Sequence, residues 1–90
     1  MDKSERNKIN KEIGKLTYNR YHEKIPLEEL FSILEKRGVT VIDEEGNPWS
    51  GFLCGESGHC TFDTTDRKLF LALSWYKMQS GKFEIVAYVS

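Results

Sequence analysis

The residues best suited to chemistry lie close together: Cys54, His59 and Cys60 fall within seven residues that also include Gly55 and Gly58. Two thiols and an imidazole are donor types that bind zinc. Structural zinc sites, however, take four ligands, usually from paired clips of the Cys-x-x-Cys kind, and this spacing contains no such clip. His22 is the only other histidine, so a carboxylate such as Glu56 would have to complete the set. The same atoms could act as a Cys–His nucleophile pair, which needs a thiolate, an adjacent base and a third group to orient it. His59 and Cys60 are neighbours in the chain, and neighbours on a strand point to opposite faces. Cys54 and His59 could meet across a loop, but a third member is missing. The string Gly55 to His59 lacks both the spacing and the strand-to-helix setting of a nucleophile elbow, and no phosphate-binding glycine pattern occurs. Two reduced cysteines serving as small apolar side chains are therefore expected, with an exposed histidine between them, no cofactor and no enzymatic activity. A metal or redox site at Cys54, His59 and Cys60 is the lesser alternative.

A second set of residues is suited to recognition rather than reaction. Lys68–Met78 and Lys82–Val89 are rich in β-branched and aromatic residues, and the short link Gln79-Ser80-Gly81 between them signals a hairpin. A two-residue loop would pair Met78 with Phe83; a three-residue loop with Gly81 left-handed would pair Met78 with Lys82 instead. The second register sorts the side chains cleanly. Leu69, Leu71, Leu73 and Trp75 then share an apolar face with Phe83, Ile85, Ala87 and Val89. The other face carries Phe70, Ala72, Ser74, Tyr76 and Met78 with Lys82, Glu84, Val86 and Tyr88. Aromatics and methionine are enriched at the centres of protein interfaces, so Phe70, Tyr76, Met78 and Tyr88, with Lys82 and Glu84 at the margin, are the expected partner-binding residues. Such a face can also stack on RNA bases, form a homodimer, or simply be covered by the first helix.

The third set is basic. Lys8, Lys11 and Lys15, with Arg6 and Arg20 further off, could meet phosphates or an acidic partner. They are interspersed with Glu5, Glu12 and asparagines, which is the pattern of an ordinary solvated helix face. Residues 1–24 carry seven Lys/Arg against four Asp/Glu, whereas residues 25–90 carry six against ten, for an overall charge of −1. A dedicated nucleic-acid binder is more basic than this. Nucleic-acid binding through Lys8, Lys11 and Lys15 is thus the alternative to a protein partner.

The elements that hold these residues follow from periodicity. Ser4 to about Glu23 reads as a helix capped by Ser4, with a thin stripe of Ile9, Ile13 and Leu16. Pro26–Arg37 is a better helix: Glu28 and Glu29 sit at its start, Lys36 and Arg37 at its end, and Gly38 follows as terminator. Leu27, Leu30, Phe31 and Leu34 give it one apolar stripe. Strand periodicity takes over at Val39–Ile42. An acidic turn, Asp43–Pro48, leads to a possible return strand at Trp49–Cys54, and Cys54–Cys60 reads as a loop before a short strand at Thr61–Asp63.

Two helices followed by strands predict an α+β fold, with both helices on one face of a four- to five-stranded antiparallel sheet that ends in the long hairpin. Ninety residues form a single domain, 1–90, able to bury only roughly 60–65% of its unfolded surface. No run approaches the ~20 apolar residues of a membrane span. The polar first dozen residues do not resemble a signal peptide, so a cytoplasmic location without membrane attachment is expected.

Overall fold

In the computed structural model, which describes residues 2–90, the chain runs helix α1 (Lys3–Thr17), strand β1 (Tyr21–His22), helix α2 (Leu27–Glu35), then strands β2 (Val41–Ile42), β3 (Ser57–Thr64), β4 (Phe70–Lys77) and β5 (Phe83–Val89). The strands form one antiparallel sheet in the order β1-β5-β4-β3-β2, an α+β architecture. The β4–β5 hairpin adopts the three-residue turn. Met78 N–H donates to the Lys82 carbonyl at 2.8 Å, and Gly81 N–H donates to the Met78 carbonyl at 2.9 Å. Gly81 sits at φ +90°, where a side chain would be strained. Lys77 therefore opposes Phe83, and Trp75 opposes Ile85.

This register puts Leu71, Leu73 and Trp75 of β4 on one face with Ile85 and Val89 of β5, all buried. Both helices pack on that face. Ile9 and Ile13 of α1, and Leu30 and Leu34 of α2, have no exposed surface at all. At one side of the core, Phe31, Trp49 and Phe62 meet edge to face, with ring centroids 5.2–5.7 Å apart. Such contacts join α2, β3 and the segment after β2, each pair adding about 0.5–1.5 kcal/mol beyond burial.

Several boundaries differ from the sequence expectation. Asp2, not Ser4, caps α1, its Oδ1 accepting from Glu5 N–H at 2.8 Å. The helix stops at Thr17 rather than Glu23. Asn19 takes a left-handed conformation (φ +54°), and the chain reverses into β1, which pairs with β5 at Tyr21–Glu84 and His22–Phe83. His22 Nε2 donates to the Leu16 carbonyl at 3.1 Å, tying the strand to the end of α1. Trp49–Cys54 is not a strand. Trp49 N–H bonds the Val41 carbonyl, its ring is drawn into the aromatic cluster, and further on Leu53 packs against the core and borders a recess shared with Ile25 and Phe83. The expected loop at Cys54–Cys60 is half strand, because β3 begins at Ser57 and pairs with β4 from Tyr76 to Phe70.

Asn10 links the two ends of the fold. From α1 its Nδ2 donates to the Val89 carbonyl at 3.1 Å and its Oδ1 accepts from Val89 N–H at 2.7 Å. One side-chain amide thus takes the place of a neighbouring strand at that point of β5.

Gly58 opposes Trp75 across the β3–β4 ladder, and the indole lies over its backbone. A Cβ at Gly58 would stand 2.6 Å from a ring carbon of Trp75, a separation real atoms do not tolerate. The indole N–H donates to the Gly55 carbonyl at 3.3 Å, so the ring is held from two sides. Gly58→Ala is expected to lose about 1–3 kcal/mol of unfolding free energy in urea titrations, through overpacking. Gly14→Ala, where the added methyl meets nothing within 4 Å, should instead gain roughly 0.5–1 kcal/mol from helix propensity. Equal responses would show that Trp75 yields without cost.

Candidate functional site

Among the described residues, no element covers the face of the sheet opposite the helices. Alternation along β4 and β5 directs Phe70, Tyr76, Val86 and Tyr88 to it, and these are 40–59% exposed despite lying within strands. The first helix does not cover this face; α1 packs on the other side, through Ile9 and Ile13. Cross-strand rows organise the surface. Tyr21 opposes Glu84, which opposes Tyr76, which opposes Ser57. The carboxylate of Glu84 thus stands on a strand between two tyrosines. The next rows are Val86–Ser74–His59 and Tyr88–Ala72–Thr61, and Phe70 opposes Asp63 at the far end.

Among the expected residues, Phe70, Tyr76, Glu84 and Tyr88 share this face, while Met78 and Lys82 pair at the hairpin end, Met78 half-buried and Lys82 exposed. Tyr21 belongs to the face too, at 51% exposure, and was hidden from sequence reading by the assumed continuation of the first helix. Its signal was Asn19, since asparagine is, after glycine, the residue that most readily ends a helix in the left-handed conformation. Beyond Tyr21, a recess of roughly 370 Å³ between the end of α1 and the β5 edge is bordered by Tyr18, Arg20 and Val86, which carries the aromatic surface around that edge.

Lys8, Lys11 and Lys15 lie on α1, in the layer on the other side of the sheet. Lys8 makes an exposed contact with Glu5 at 3.7 Å, and Lys11 and Lys15 border a shallow depression with Tyr18 and Arg20. Nearby, Arg37 at the end of α2 donates to Glu5 at 2.8 Å and approaches Glu12 at 3.8 Å. Two of the carboxylates interspersed among the lysines are thus engaged in joining the helices.

Cys54, His59 and Cys60 are not gathered. Cys54 is exposed in the segment before β3. His59 projects from the open face, and Cys60, its neighbour on the strand, turns toward the core. Among the described residues, no group of three or more His, Cys, Asp or Glu is placed to hold a metal ion. Burial pushes the Cys60 thiol up from its ordinary pKa, so less of it is thiolate near neutrality. Cys54 is therefore expected to react with a water-soluble thiol reagent severalfold faster than Cys60, with the difference vanishing in denaturant. Faster labelling at Cys60, read by peptide mass mapping, would contradict this placement.

The chain matches no protein-family model, and neither the curated proteins nor the solved structures yield a match. Among the described residues, no helix is long and apolar enough to cross a membrane.

Proposed function

We propose that this is a non-enzymatic binding protein of the cytoplasm, which engages a macromolecular partner, a protein or a second copy of itself, through the open face of its sheet. The observation that carries this reading is the exposed cluster Tyr21, Phe70, Tyr76, Val86 and Tyr88 on a face that neither helix covers. The total accessible surface supports it. A compact monomer of 10.5 kDa exposes about 5,400 Å², whereas this chain exposes 6198 Å². The surplus reflects a slab only 17 Å across its shortest axis, one helical layer on one sheet. It is comparable with the ~800 Å² that one partner contributes to an interface of standard size. Tyrosine suits this role, offering a large contact area, few rotatable bonds and a polar tip that tolerates water in the free state. Protein is favoured over RNA because the lysines lie in the other layer, so stacking rings and phosphate-binding charge do not share one surface.

The test is a double variant. Tyr76→Ala with Tyr88→Ala should stay folded, losing no more than about 2 kcal/mol of unfolding free energy in urea, since both side chains are more than half exposed. It should abolish concentration-dependent growth in sedimentation mass, or the co-purification of a stoichiometric partner. Parent and variant that are alike in mass and in associated protein would refute the proposal. Retention on heparin at low salt, lost in Lys8→Ala/Lys11→Ala/Lys15→Ala, would favour the nucleic-acid alternative instead.

A further inference from the structure

The two long edges of the sheet are finished differently. On the β5 side, β1 pairs with Phe83 and Glu84, and Asn10 takes both backbone groups of Val89. Between them only Ile85 and Ala87 direct backbone groups outward, and the end of α1 lies alongside them across a recess. On the other side β2 covers only Asp63 and Thr64 of β3, and then the chain turns away at Asp43. The phase of the ladder determines what remains. Lys77 N–H bonds the Glu56 carbonyl, so Gly58, Cys60 and Phe62 direct their backbone groups to β4. The N–H and C=O groups of Ser57, His59 and Thr61 point outward by alternation. These three residues are exposed, and among the described residues no backbone segment pairs with them. Ser57–Thr61 also carries no proline, bulge or charge, the usual devices that block strand addition at an edge.

What lies at the end of this open lane is acidic. Asp43 Oδ1 accepts from the N–H groups of Glu45 and Asn47, each at 2.9 Å, holding the turn tightly where β2 stops. Glu44 and Glu45 project from that turn. With Asp43 and Asp63 they border a recess of roughly 500 Å³ that reaches Cys60 and Thr61. None of the four carboxylates forms an ion pair with another described residue. We propose that the β3 edge is a strand-addition site for an extended segment of another protein, running antiparallel to β3 in line with β2 and carrying Lys or Arg at its N-terminal end. Three outward residues supply three donors and three acceptors, and the cations meet the turn and Asp63. A second copy of this chain is the less suitable occupant. Antiparallel pairing of β3 with its own copy, centred on His59, would bring Glu56 of one chain toward Asp63 and Glu44 of the other, like charges at both ends. This site is separate from the open face and does not depend on it.

The probe is a short capped peptide that alternates Thr and Val and begins with a run of lysines, compared with the same peptide beginning with glutamates. Amide hydrogen exchange followed by NMR on the full chain reads the result, because pairing protects alternate residues. The lysine peptide should slow exchange at Ser57, His59 and Thr61 about tenfold or more, and the effect should weaken as salt is raised. The glutamate peptide should leave them unchanged. Glu44→Lys with Glu45→Lys, both on an exposed turn, should reverse the preference. Tyr76→Ala/Tyr88→Ala should bind the lysine peptide as the parent does, which separates this site from the open-face proposal. Absence of slowing with either peptide, equal slowing with both, or perturbation confined to Tyr76 and Tyr88 would overturn the proposal. So would protection that rises with protein concentration without peptide, which would make a second copy the occupant.

Discussion

The pairing of Met78 with Lys82 decides which side of the molecule every residue of the central hairpin faces. With a side-chain period of two, a slip by one residue would turn either Leu71, Leu73 and Trp75 or Phe83, Ile85 and Val89 to the surface. The three-residue turn, made possible by Gly81 at φ +90°, prevents this. Everything else is laid on that decision: the helices on one side, the aromatic surface on the other, and β3 added in phase so that Phe62 and Cys60 join the core while His59 and Thr61 stay outside.

The parts legible in the sequence are those whose pattern is local. The second helix announces itself through Leu27, Leu30, Phe31 and Leu34, and the hairpin through its apolar alternation. The register could be chosen because only one of two loops separates the faces. Hidden features depend on partners distant in the chain. Tyr21 and His22 are a strand only because β5 lies beside them, and Ser57–Cys60, small and polar, becomes a strand because β4 supplies the ladder. A return strand at Trp49–Cys54 does not form, because contacts with Phe31 and Phe62 take Trp49 out of the sheet. Asn10, one of several asparagines without distinction in sequence, has a role visible only once Val89 is placed against it. Of the candidate surface, Phe70, Tyr76, Glu84 and Tyr88 are legible from alternation alone; Tyr21 is not, because only the tertiary setting shows that the helix ends before Asn19.

Small side chains do as much as large ones in shaping the sheet. The bare backbone of Gly58 receives the Trp75 ring, and the Gly55 carbonyl receives its N–H. The same stretch that contains the two cysteines is therefore organised around an indole. Its small residues keep β3 thin at its outer side, and the acidic turn after β2 gives that side a charge. The open face is nearly the reverse, with large rings and few charges. One sheet thus has two chemically distinct surfaces, an aromatic face and a small-residue edge beside an acidic turn.

The bond between Asn10 and Val89 joins residues 79 positions apart. Both α1 and β1 take their place in the fold from β5, which follows every other element along the chain. During synthesis α1 emerges well before β5, the element its buried side, Ile9 and Ile13, packs on most extensively. A short helix with so thin an apolar stripe is not stable alone. The β3–β4–β5 meander can assemble from near neighbours, and closure of the N-terminal part onto it is the long-range, slower event. Until then the apolar face of the meander stands bare, so the interval before α1 docks is when this protein is most exposed to aggregation and to chaperones.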